Sequence, residues 1–178
     1  MVSQPVHGDP ASLSQTGGAL RQLATRLRTT GRRAHAAFDD AAARDAGDGR
    51  RDRVVAAARR QYDAVDAAAA AAAAELDRAG TAVQAHASDL AEALAQARSL
   101  AARADAAGLQ VVDGEVVPAW GVAGVADGSA AQSREQLRQQ LQAELDQLGV
   151  LLDRRRSTLV ATLAGSRELL ATHAARLR

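Results

Sequence analysis

The sequence contains no cysteine, and lysine, isoleucine and asparagine are missing as well. Without thiols it can build no disulfide framework, no thiol nucleophile and no cysteine-ligated metal centre. Aromatic residues are almost as scarce: one Phe, one Tyr and one Trp make up 2% of 178 residues. Stacking of bases on aromatic platforms is therefore not a means open to this chain. Neither sign of charge prevails, since the net charge is +1, so there is no global attraction to nucleic acid or to an anionic membrane. Long apolar runs are also lacking. The stretch Ala64 to Ala74 is interrupted by Asp66 and followed by Glu75, too short to span a bilayer, so no transmembrane segment is expected. Met1 to Pro10 is polar and has no apolar core of a secretory signal. The expected location is the cytoplasm, with a leaderless export route left open.

What the chain does have is alanine, leucine and valine, which supply nearly all of its 47% hydrophobic content. Alanine buries only a methyl group, so a compact core would be thin and long amphipathic helices are the better use of this composition. A first helix is predicted over about 10–43. Asp9 is its N-cap and Pro10 its first residue, where a missing N–H costs nothing. Leu13, Leu20, Leu27, Ala34 and Ala41 recur every seven residues, with Leu23 and Phe38 filling the intervening face. Gly17-Gly18 weakens its first turns, each glycine costing about 1 kcal/mol relative to Ala. Asp45 to Gly49 reads as a short turn.

The second helix is predicted over about 51–107, a length of about 85 Å. Two heptad rows run along it, Val55–Tyr62–Ala69–Leu76–Val83–Leu90–Ala97 and Ala58–Val65–Ala72–Ala79–His86–Ala93–Leu100. Such a sustained repeat implies partner helices packed in a left-handed supercoil. Gly108 stops it. A small β-hairpin follows at about 110–117, because Asp113-Gly114 between two valine pairs suits a two-residue turn and sets Val111 opposite Val116. A Gly- and Ala-rich linker runs from Gly121 to Ala131. The third helix is predicted over about 133–177, starting with the capping-box spacing of Ser133 and Gln136. Its stripe comprises Leu141, Leu145, Leu148, Leu152, Leu159, Leu163, Leu170 and Leu177, interrupted by Arg155, with Gly149 and Gly165 lowering its intrinsic stability. The fold expected is all-α: a single helical domain over 1–178, an elongated antiparallel helical hairpin or three-helix bundle with a long central helix and one small β-hairpin.

Chemistry is harder to find. His7, His35, His86 and His173 are scattered, with no two at helical ligand spacing, so no metal and no cofactor is expected. No Ser-His-Asp arrangement or Gly-x-Ser-x-Gly motif is present, and Gly121 to Gly128 lacks the lysine of a phosphate loop. The chain is expected not to be an enzyme. Arg21, Arg26, Arg28, Arg32 and Arg33 form a basic stretch, and Arg50, Arg51, Arg53, Arg59 and Arg60 a second, whereas residues 61–107 carry seven acidic and three basic side chains. This basic tip either meets phosphates or an acidic partner, or is a solvated surface paired with nearby acids. Trp120 either plugs the junction of hairpin and helices or anchors a protein partner. Leu141, Leu145, Leu148 and Leu152 form a stripe that a partner helix or a second copy could cover.

Several segments resemble a known group. Gly8-Asp9-Pro10 followed by Leu13, Leu20, Leu23 and Leu27 resembles the start of actinobacterial type VII secretion-associated helical proteins, related to the Trp-x-Gly (WXG) substrates. Ala104 to Leu109, running into Val111 to Pro118, resembles a connector of such long-helix proteins, and Tyr62-Asp63-Ala64-Val65-Asp66 fits their Tyr-x-x-x-Asp/Glu secretion pattern. The turn Asp45 to Arg50 has no Trp, and Trp120-Gly121 stands elsewhere. The resemblance implies a non-enzymatic interaction protein, a type VII substrate or a chaperone of one, with Tyr62 and Asp66 as the secretion motif. A cytoplasmic coiled-coil scaffold is the alternative. A nucleic-acid binder using the Arg-rich tip is the third reading and the least favoured.

Overall fold

A computed structural model describes residue 6 and residues 8–44, 49–119 and 128–176. Helix accounts for 90% of them. In chain order the elements are α1 (Pro10–Arg44), α2 (Gly49–Ala106), β1 (Leu109–Val112), β2 (Glu115–Pro118) and α3 (Gly128–Arg176). The all-α class with one small two-stranded antiparallel sheet is what the heptads and the Asp-Gly turn predict. Among the described residues no helix is long and apolar enough to cross a membrane. The turn Asp45 to Arg50 before Gly49, Trp120, most of the Gly121 to Ala131 linker and Leu177 lie outside the described residues. Two compact units are present, one of residues 1–12 and 85–158 and the other of residues 13–84 and 159–178.

The first of these, the hairpin unit, contains both strands. Asp9 caps α1: its carboxylate accepts the Ala11 N–H at 3.0 Å and the Ser12 hydroxyl, which holds the Asp9 pKa below its ordinary value. Gly108 takes φ 70° after α2, and its carbonyl accepts the Ala119 N–H at 3.0 Å. Asp113 and Gly114, at φ 52° and 85°, make the turn that places Val111 against Val116. Leu109, Val111 and Val116 are buried, so the hairpin does not stand alone. Gln142 of α3 fastens it: the side-chain amide donates to the Gly114 carbonyl (3.1 Å) and accepts the Val116 N–H (2.8 Å). Ion pairs run antiparallel between α2 and α3 here, Asp89 with Arg155 and Arg103 with Glu144. Arg155, a break in the leucine stripe by sequence, thus has a partner at 2.9 Å.

The second unit holds fifteen of the arginines against ten acids, the hairpin unit seven against eleven. In this arginine-rich unit α1 runs antiparallel to α2, as the pairs Arg21–Asp77 and Arg59–Asp39 require. The seam corrects one expectation. Leu23 is 51% exposed, Ala34 and Ala41 are exposed, and the buried residues of α1 are Gly17 and Ala24. Gly17 faces Gly80 of α2 so closely that a Cβ on either would lie 2.7 or 2.6 Å from the other's carbonyl oxygen. One heptad along, Ala24 and Ala73 are both fully excluded from solvent. A further heptad along, a Cβ on Gly31 would come within 2.9 Å of the Asp66 carboxylate. Small residues make the seam, and the leucines flank it.

A second correction concerns α3, which begins at Gly128, five residues before Ser133. Ser133 therefore caps nothing; its hydroxyl donates to the Ser129 carbonyl one turn back, a bond that only an interior helical position allows. Ala130 and Ala131 are strong helix formers that carry the helix back beyond Ser133 to Gly128.

Two groups of glycine substitutions should act in opposite directions. Gly17→Ala or Gly80→Ala would push carbonyl and side chain apart at the α1–α2 seam and should destabilise by about 1–3 kcal/mol. Gly149→Ala and Gly165→Ala, where an added Cβ meets nothing within 4 Å, should each stabilise by about 1 kcal/mol. Urea unfolding of the four variants measures both; stabilisation by Gly17→Ala would show that the seam is looser than described.

Candidate interaction surfaces

Tyr62 and Asp66 lie one turn apart on α2 and both turn toward α1. The Tyr62 ring stacks on Phe38, with centroids 4.4 Å apart and planes inclined by 23°. Asp66 lies over Gly31. Tyr62 is nevertheless 41% exposed, so one ring of the stack is presented to solvent. The chain's one Phe and one Tyr are thus spent on the same contact, in a unit otherwise built from Ala, Leu and Val.

Beside this stack is a polar cluster. Asp39 accepts from Arg59 at 2.7 Å, His35 Nε2 lies 3.4 Å from Asp39, and His35 Nδ1 lies 3.8 Å from Asp63. Deeper in the unit, Glu75 is buried on α2, where the Ser166 hydroxyl of α3 donates to it at 3.3 Å and Arg78 pairs with it at 3.1 Å. The seam position of His86 leaves it half-buried. Among the described residues no group of three or more His, Asp and Glu side chains converges to hold a metal ion.

The basic stretch divides. Arg21 bonds to Asp77 (3.3 Å) and Gln84 (3.1 Å), Arg28 approaches Asp77 (3.9 Å), and Arg59 takes Asp39. Arg26, Arg32, Arg33, Arg53 and Arg60 are exposed and have no carboxylate in ion-pair range among the described residues. The side chains of Arg50 and Arg51 lie outside the described set. An open groove of about 470 Å³ borders Arg21 and Arg26, but its Asp77 and Gln84 are already engaged by Arg21.

The leucine stripe of α3 is placed differently from the expectation of a partner-facing surface. Leu141, at 1% exposure, and also Leu145 and Leu148 are buried within the hairpin unit, and Leu152 is half-buried. These side chains make the chain's own core. Val150, Leu151, Val160 and Leu169, off the heptad, are the large apolar residues of α3 that are exposed among the described residues. The pattern could not announce this, because a buried intramolecular seam and an intermolecular one have the same period. No family model, no curated protein and no solved structure matches the chain.

Acid titration probes the α3 pairs. Hydrogen bonds from Arg138, then Gln139, hold the Glu135 carboxylate down to about 2, against an ordinary 4.5. Glu144 is also lowered, chiefly by the hydrogen bond from Arg103. Both pKa values fall on folding, so the stabilisation is complete above the unfolded values and is lost as pH drops through the folded ones. For Glu135 that window runs from 4.5 to about 2. Carboxyl NMR titration should find its midpoint near that lower value, and Arg138→Gln should return it toward 4.5. A midpoint unmoved by Arg138→Gln would show that the pair does not form in solution.

Proposed function

We propose that this chain is a non-enzymatic helical interaction protein that serves type VII secretion, as a substrate or as a chaperone bound to one. The observation that carries the reading is the Tyr62–Asp66 pair, a Tyr-x-x-x-Asp pattern on one side of a long helix, with the tyrosine ring partly open to solvent. The Gly8-Asp9-Pro10 entry into α1 and the hairpin connector after α2 support it by resemblance to that group of proteins. An antiparallel three-helix bundle with α2 as its spine belongs to the same proposal, supported by the antiparallel pairs within each unit.

A second reading, a coiled-coil scaffold retained in the cytoplasm, is favoured by one specific contact. The stack of Tyr62 on Phe38 gives the tyrosine a packing role that needs no export machinery.

Export separates the two. Tyr62→Phe keeps the stack and removes the hydroxyl, and Asp66→Asn keeps the shape over Gly31 and removes the charge. In a host with an active type VII system the wild type should reach the medium, and the double variant should fold with unchanged helicity yet stay inside. Equal export of the two proteins, or no export of either, would end the reading of Tyr62 and Asp66 as an export signal, and absence of export would reject the substrate role while leaving a retained chaperone or the scaffold.

A further inference from the structure

The side of α2 that α3 meets through Glu75 and Ser166 can be followed toward the N-terminus of α2 by helical spacing. Ala68, Ala72 and Ala79 lie seven and three residues before Glu75 and four after it, on one side of the helix, and all three are buried. The same side continues through Val65, Gln61, Ala58 and Val54 in steps of three and four. There burial stops: Val65 is 40% exposed and Val54 68%. Tyr62, propped by Phe38, forms one edge of this bare stripe. Arg53 and Arg60, seven residues apart, form the other edge, away from α1, with no carboxylate in ion-pair range among the described residues.

We propose that the stripe Val54–Ala58–Val65 docks an amphipathic helix of a partner protein, one with an apolar seam and acidic residues on its flank. The seam is continuous with one that a helix already covers within this unit, so its geometry suits a helix. The exposed Arg53 and Arg60, with no carboxylate in ion-pair range among the described residues, select the sign of the flank, since opposite charges at the edge of a helical seam set partner choice. A second copy packed antiparallel on this same stripe would lay its Arg53–Arg60 edge along the equivalent edge across a two-fold axis, and like charges there oppose that pairing. A phosphate polymer would use the arginines but leave the valines in water.

The inference rests on the reading of the chain as a helix-binding protein, and its test is independent of export. Three labelled 21-residue helical peptides are titrated against the full chain: leucine seam with glutamate flanks, the same seam with arginine flanks, and a serine seam with glutamate flanks. Fluorescence anisotropy should show the first bound at least tenfold more tightly than the other two, with affinity falling as salt rises. Val54→Ser/Val65→Ser should weaken it by tenfold or more, whereas Val160→Ser, at another exposed valine, should leave it unchanged. Arg53→Glu/Arg60→Glu alters only exposed side chains, keeps the fold testable, and should reverse the preference between the first two peptides. Equal binding of the two leucine peptides, or binding insensitive to both double variants, would overturn the proposal. So would displacement of the peptide by duplex DNA, or a wild-type dimer in sedimentation that Val54→Ser/Val65→Ser abolishes, since each puts a different occupant on the face. Peptide binding without export would retain this face and reject the substrate role, and export without peptide binding would do the reverse.

Discussion

Backbone proximity at Gly17 and Gly80 is the constraint on which the arginine-rich unit depends. Neither position has room for a methyl group, so α1 and α2 touch through their main chains there. This closeness brings short and long side chains alike into range farther along. Arg21 reaches both Asp77 and Gln84, and Phe38 reaches Tyr62. With leucines in place of the glycines the helices would stand farther apart, and the flanking polar pairs would open to water. A chain so poor in large apolar side chains gains more from many close contacts between small residues than from a few bulky ones, because dispersion falls steeply with distance.

The hairpin unit is organised on a different principle. Its core has larger residues, Leu109, Leu141 and Val116 among them, and its one sheet is too small to persist unaided. Gln142 resolves that by treating the hairpin as a third strand would, supplying a donor to Gly114 and an acceptor to Val116. The amide thereby replaces water at two backbone groups that the packing of α3 would otherwise leave unpartnered. A polar residue in the midst of a leucine stripe thus has a definite structural task.

Functionally, these arrangements draw attention away from the leucines of α3 and toward α2. Leu141, Leu145 and Leu148 are consumed by the chain's own fold. Val54 and Val65 are exposed apolar positions of α2, next to the Tyr62–Phe38 stack and beside Arg53 and Arg60, which have no carboxylate in ion-pair range among the described residues. The Tyr62–Asp66 pair proposed as an export signal and the bare stripe therefore occupy neighbouring positions of one helix, although they use different side chains.

Local periodicity and turn chemistry were enough to determine the helical class, the Asp9 cap, the stop at Gly108 and the hairpin with Val111 opposite Val116. Each depends on residues within a few positions of one another. The start of α3 was less legible, since Ser133 serves equally as a cap or as an interior residue bonded to Ser129. The seam of α1 was hidden for a stronger reason. Leucines repeating every seven residues look like a core, yet the row of small residues at the same interval, Gly17, Ala24 and Gly31, is the one that permits contact, and only the opposing Gly80 shows which row is buried. Likewise, one heptad row of α2 passes from exposed Val65 to buried Ala72 without any change in pattern. Sequence sets the period of a helical face; whether that face is covered depends on where another helix lies, and that is a property of the tertiary structure alone.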